Sequence, residues 1–414
     1  MMIYNTKYEN TLYCQLILYA FLILSFTSPN PWNSIPILNS QIERIIQFFI
    51  LFFIVKIIIN KNIFFSRTYK IVSYYILWAI IGVIRGAFTA DSYWEYNQLS
   101  IGIMSLSLPL IVYIFDSPKF LLRFYQLWIK WCIPLFFIFY YWTVGATQFY
   151  LSPIFLFGCF IPILNNKWKI IISILLIMML FNITNRSQIM KVIICFLFSS
   201  IYHYRNIIPI TFYKLFNATC YILPLILLYL GISGQFNIFA DGIASSDKQM
   251  NVHNSSGKIE NLNVDTRTFL YKEVIESAVK HKYILVGRTP ALGNDSDYFG
   301  NSYNIKYSKG TRYMNELCHL NIFTWLGLIG VILNSLIYLK ASYLAIYQSN
   351  SFALKLLGCY IAFNWLFGWI ENMNRFDIFS ISLWAIIAMG FSRKFRSYTD
   401  HEFETWFKYI FKFK

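Results

Sequence analysis

Residues 312 to 330 read RYMNELCHLNIFTWLGLIG, a polar, ionisable run that passes without a break into a membrane-length apolar helix. Before it, from about Gln235 onward, lies the only long polar segment of the chain; after it the sequence is apolar almost to its end. Glu316 and His319 are therefore expected at a lipid-water boundary.

Of the 414 residues, 57% are hydrophobic and only 13% charged, a composition that argues against a soluble domain and for a membrane-embedded one. A bilayer core about 30 Å thick needs roughly 20 apolar residues in a helix. Such runs recur at about 12–28, 43–60, 71–87, 98–115, 126–145, 148–165, 168–182, 189–203, 219–234, 318–339, 353–370 and 376–392. They lack the period-two alternation of a lipid-facing β-barrel. The expected fold is all-α and polytopic, with about 12 transmembrane helices. Helices one to nine fall in 1–234, an extracytoplasmic loop in 235–317, helices ten to twelve in 318–392 and a basic tail in 393–414.

The net charge of +16 is first explained by orientation. With the N-terminus cytoplasmic, the inner turns hold Lys61, Arg67 and Lys70, then Lys119 and Arg123, Lys167 and Lys169, Arg205 and Lys214, and Lys340 and Lys355. The tail adds Arg393, Lys394, Arg396, Lys408, Lys412 and Lys414, which puts both termini on the cytoplasmic side of the membrane. No nucleic-acid partner is needed to explain the charge. The tail's FETWFKYIFKFK mixes aromatics with Lys and is expected to lie on the anionic inner leaflet. The first apolar run resembles a signal peptide, but its N-region carries one Lys and one Glu, so it reads as an uncleaved span. The seven cysteines stand singly, with neither disulfide nor zinc spacing, and no cofactor motif is present.

The 235–317 loop is nearly neutral, with ten Lys and Arg against nine Asp and Glu. Its first half is rich in Gly, Ser and Asn. In its second half Asp265 is placed to cap a helix beginning at Arg267, with Phe269, Leu270, Val274 and Ala278 on one face, lying along the membrane surface. HKYILVGRTPALGND then reads as a short extended piece ended by Gly287 and Pro290, returning over the membrane mouth.

Cations outside the orientation pattern are the candidate site. Arg186 and Arg375 fall on the outer face, and Arg267, Arg288 and Arg312 come from the long loop. Together they are candidates for a cationic pocket. Arginine suits a diphosphate because its planar fork donates parallel hydrogen bonds and keeps its charge, and Arg267 in a first helical turn would add free N–H groups. The bland alternative is that each arginine snorkels to headgroups or pairs with a carboxylate. His319 is a candidate base, with Glu316 on its face if the helix already runs there; structurally, a boundary His is also an ordinary interfacial residue. Glu371 and Arg375, in WIENMNRFDI, are near enough to pair and read as supporting residues.

Three pieces, in order, resemble the O-antigen ligase and polymerase superfamily of bacterial membrane proteins: NRSQIM at 185–190, DTRTFLYKEVIESAVKHKYILVGRTP, and NELCHLNIFTWLGLIGVI. Asn185 stands where a Ser is usual, and Leu320 separates His319 from Asn321. The resemblance implies a GT-C-like fold and a metal-independent inverting glycosyltransferase without cofactor. It implies that Arg186, Arg267 and Arg288 hold a lipid diphosphate, that Arg312 assists, and that His319 or Glu316 activates the acceptor hydroxyl. The activity implied is polymerisation of undecaprenyl-diphosphate-linked repeat units into O-antigen, capsule or exopolysaccharide at the outer side of the membrane. Membrane lipids, a chain-length regulator and a flippase are the implied partners. The rivals are a ligase transferring glycan to lipid A core, a lipid-linked oligosaccharide flippase, for which Lys56 and Lys130 near or within spans speak, and a structural scaffold.

Overall fold

The computed structural model describes residues 12–29, 40–143, 147–181, 186–232, 251–253, 259–261, 268–296 and 310–412. These are mostly helical. Among the described residues, five helices are long and apolar enough to cross a membrane: Lys70–Thr89, Tyr93–Phe115, Pro118–Ile138, Ile210–Leu230 and Cys318–Tyr347. Shorter apolar helices run over Leu12–Thr27, Phe352–Phe367 and Ile378–Phe391. Large apolar side chains remain exposed on outward faces, among them Ile81, Ile84, Ile222, Leu225 and Ile226. Such a surface suits lipid rather than water.

Local chemistry sets the helix ends. Ser92, Ser117, Asn165, Ser351 and Asp377 each accept a hydrogen bond from a backbone N–H in the first turn that follows. These caps satisfy donors that a helix start leaves orphaned. Pro109 accompanies a tighter 3-10 turn, Leu108–Ile111, inside the Tyr93–Phe115 helix, since proline has no N–H to donate.

Three expectations need correction, the third in the strap at 281–292 described below. The sixth apolar segment, 148–165, is not one helix: it is a single turn Thr147–Tyr150, a short helix Ile154–Cys159 and a 3-10 turn Ile161–Ile163. It nevertheless runs through the bundle, from Gln148 beside Glu371 to Phe160 beside Phe403 and Phe407. Irregular backbone is tolerated there because protein surrounds it, and residues 147–160 are buried throughout. The tail helix Asp400–Ile410 turns its aromatic face inward instead of resting on lipid through it. Phe403, Phe407 and Ile410 are fully buried, and Phe407 packs on Phe157.

The loop helix runs over Thr268–Lys280, with Leu270, Val274 and Ala278 buried on one face. Leu270 and Val274 pack with Leu317 and Leu320, which ties the loop to the start of the Cys318–Tyr347 helix. Asp265 and the Arg267 start lie outside the described residues, as does most of the loop's first half.

Residues 281–292 do not form an extended piece over the mouth. They make a chain of turns that inserts between helices. The Gly287 N–H closes a turn on Tyr283 O (2.8 Å), and Thr289, Pro290 and Ala291 are buried against Gly86 and Gly102. The insertion is possible because the Cys318–Tyr347 helix is broken at Gly327, whose φ is 69°. Leu328 N–H donates to Ile284 O (2.8 Å), Ile329 N–H to Leu285 O (3.3 Å), and Arg288 N–H to Thr324 O (2.7 Å). The strap thus satisfies backbone groups that the break would otherwise leave orphaned.

Candidate functional site

The loop between the last two apolar helices, residues 368–377 (GWIENMNRFD), links the helix that carries His319, the loop helix and the buried Lys191. Gly368 O accepts from the N–H groups of Cys318 (3.0 Å) and His319 (3.4 Å), while Glu371 O accepts from Cys318 N–H (3.1 Å). The loop therefore caps the helix carrying His319. Tyr271 of the loop helix donates to Trp369 O (2.5 Å), and Gln47 of the Ser40–Lys61 helix donates to Phe376 O (2.8 Å). An added Cβ at Gly368 would stand 2.9 Å from His319 Nε2, so glycine permits this approach.

The Glu371 side chain ion-pairs with Lys191, whose ammonium is only 3% exposed. Ser187 Oγ donates to Glu371 Oε1 (2.9 Å), Gln148 Nε2 donates to the same oxygen (3.4 Å), and Lys191 Nζ donates to Gln148 Oε1 (3.2 Å). The ammonium also lies over the rings of Phe379 (4.2 Å) and Phe367 (5.2 Å). Arg186, one residue before Ser187, opens the same helix with an exposed side chain. Glu371 thus pairs with Lys191 and not with Arg375, which faces Asp377 (3.8 Å). The sequence reading missed Lys191. Its signal was a lone cation inside an apolar run, which by itself marks a functional or structural partner.

His319 is buried, with its ring 4.5 Å from that of Trp369 and 5.3 Å from that of Trp365. Its Nε2 meets Trp365 O at 2.9 Å, so Nε2 carries the proton and Nδ1 keeps the lone pair. Nδ1 has no partner among the described residues. Glu316 does not share its face, because the helix begins only at Cys318. Glu316 is instead exposed and paired with Arg312 (3.4 Å).

Arg312 and Arg288 are linked by a small hairpin in which Asn294–Asp295 pairs with Thr311–Arg312. Asn321 holds this hairpin through Asn315, whose side chain donates to Asn294 Oδ1 (3.0 Å). Burial lowers the Arg312 pKa, against the opposing pull of Glu316 and Glu273. Arg288 donates to Asp295 Oδ1 (3.0 Å) and Gly293 O (2.8 Å). Lys280 and His281 both reach Asp295 Oδ2 at 2.8 Å. Burial works against the Asp295 carboxylate, but hydrogen bonds from Lys280, His281 and Arg288 outweigh it and hold the pKa down at about 2.

The arginines expected to share one cationic pocket are thus mostly engaged with separate carboxylates: Arg288 with Asp295, Arg312 with Glu316, Arg375 with Asp377. Arg186 is exposed, and Arg267 lies outside the described residues. Arg85 is a further cation that sequence reasoning passed over. It donates to Val286 O (2.8 Å) and Gly287 O (2.9 Å), clamping the inserted strap.

No family model, curated protein or solved structure matches the chain.

Proposed function

We propose that this protein is a polymerase of lipid-linked oligosaccharides, joining polyprenyl-diphosphate-bound repeat units on the outer side of a bacterial cytoplasmic membrane, within a bundle of about twelve spans of GT-C-like type. The observation that supports it best is the gathering of ionisable residues at one end of an apolar bundle, around the 368–377 loop and the inserted strap. Arg186, Arg267 and Arg288, with Arg312, hold the diphosphate by charge-assisted hydrogen bonds. Glu316, open to solvent beside Arg312, takes the proton as an acceptor hydroxyl oxygen bonds to the anomeric carbon. The bond from that carbon to the phosphate oxygen breaks, and polyprenyl diphosphate leaves with the electron pair. His319, closed beneath Trp365 and Trp369, is the second candidate for that proton.

A second reading, a flippase for the same lipid-linked units, draws on the buried Lys191–Glu371 pair and the helix broken at Gly327, since transporters use buried charges and discontinuous helices. Surface-glycan ladders from a deletion strain carrying wild type, Arg186→Ala, Arg267→Ala or Glu316→Gln separate the readings. Single repeat units on the surface support the polymerase. Lipid-linked polymer that is never transferred indicates a ligase, and units trapped inside indicate a flippase.

A further inference from the structure

Two cations, Lys280 and Arg288, and the imidazole of His281 meet on one carboxylate at the end of the loop helix. Arg288 binds Asp295 Oδ1, while Lys280 and His281 bind Oδ2. The frame around them is held independently of that carboxylate. Asp295 N–H donates to Ser277 Oγ (3.0 Å), the Tyr283 hydroxyl donates to the same oxygen (2.9 Å), and Asp295 pairs with Thr311 in the hairpin. The cluster also lies beside Arg85, which grips the carbonyls of the two residues preceding Arg288. Among the described residues, Lys280, Arg288 and Arg85 thus outnumber the one carboxylate, Asp295, here. Two backbones in the left-handed region, Lys282 (φ 55°) and Thr289 (φ 154°), flank the cluster, and such strain persists only where surrounding contacts enforce it.

A carboxylate that accepts at one oxygen from an arginine Nη1 and at the other from a Lys–His pair presents acceptors of the kind that two phosphate oxygens would offer. We propose that Lys280, His281 and Arg288 form a phosphate-binding cradle in which Asp295 is the resident counter-ion, displaced when a phosphate or diphosphate group enters. The ligand chemistry is the phosphate group, borne either by a lipid headgroup or by a soluble diphosphate. This deepens the reading of Arg288 as a diphosphate ligand and rests on it. It adds Lys280 and His281 to the ligand set and makes Asp295 a competitor. Rotation of the Asp295 side chain away from the cations suffices to open the cradle, since its backbone is pinned.

The test is calorimetric titration of inorganic pyrophosphate into the full-length protein in nanodiscs of neutral lipid. Asp295→Asn, which keeps the side-chain volume, should bind about tenfold tighter than wild type, as expected when a competing charge is removed. Lys280→Gln and Arg288→Gln should each bind about tenfold more weakly, the cost of one charge-assisted hydrogen bond. Lys280 is 69% exposed, so its variant folds regardless of the cluster. Repeating the titration in discs containing phosphatidylglycerol or polyprenyl phosphate assigns the source: loss of pyrophosphate binding identifies a headgroup, and retention identifies a soluble diphosphate. Pyrophosphate and lipid binding that ignore Lys280 and Arg288, or Asp295→Asn binding no better than wild type, overturns the proposal. Because the readout is binding, a polymerase reading that fails in the ladder assay leaves this result standing, and the converse also holds.

Discussion

Gly327 and Gly287 face each other backbone to backbone: a Cβ added at Gly327 would stand 2.5 Å from the Gly287 nitrogen and overlap the Leu285 carbonyl. A Cβ at Gly287 would likewise overlap the backbone of Trp325 and Leu326. Both glycines also have positive φ, 69° and 75°. Gly310 has a similar φ of 72° but nothing within 4 Å, so Gly310→Ala reports backbone strain alone, about 1–2 kcal/mol. Gly327→Ala and Gly287→Ala should cost clearly more, because the strap must leave the helix break. Thermal unfolding of the three purified variants checks this; equal losses would mean that the close approach carries no stability.

Lys191 and Glu371 form a buried pair, so removing one partner strands a charge. Lys191→Met alone and Glu371→Leu alone should each destabilise by about 3–5 kcal/mol, whereas the double variant should recover most of that loss. Unfolding midpoints across the double-mutant cycle measure the coupling. Additive losses would show that the two side chains act separately.

Asp295 titrates at about 2 in the folded protein, below the ordinary 3.8 of a free aspartate. Its folded-state pKa is depressed, so its contribution to stability is fully present above the ordinary value and is lost as pH falls through about 2. Wild type should therefore lose stability between about pH 4 and pH 2 more steeply than Asp295→Asn. Unfolding midpoints taken through this window test it, and parallel curves would remove Asp295 from the account. Its partial exposure keeps the effect modest.

The tail helix is held by packing and not by its charge. Phe407 is fully buried against Phe157, Phe160 and Phe411, so Phe407→Ala should cost about 3–5 kcal/mol. Lys408→Gln, on the exposed side, should change stability by less than about 0.5 kcal/mol. Protease accessibility of the tail in membranes reads the difference: Phe407→Ala should expose it, and Lys408→Gln should not.

Periodicity and composition alone determined that the chain is helical and apolar, that one long polar loop separates two apolar halves, and that Leu270, Val274 and Ala278 share a helical face. These properties depend on residues a few positions apart, so local spacing carries them. Arg288 and Arg312 were legible as unusual cations, but their partners were not. Lys191 meets Glu371 across 180 residues, and Arg288 reaches Asp295 only because the strap doubles back on its hairpin. The Glu316–His319 pairing failed for a local reason: Leu317 is extended, with φ −123° and ψ 125°, so the helix on whose face the two would meet starts two residues after Glu316. Tertiary structure alone decided which cations are neutralised, that His319 is closed between two tryptophans, and that Gly327 admits another segment of the chain. The physical reason is that burial and ion pairing depend on which distant segments the packed helices bring within a few ångströms, and no local pattern records that.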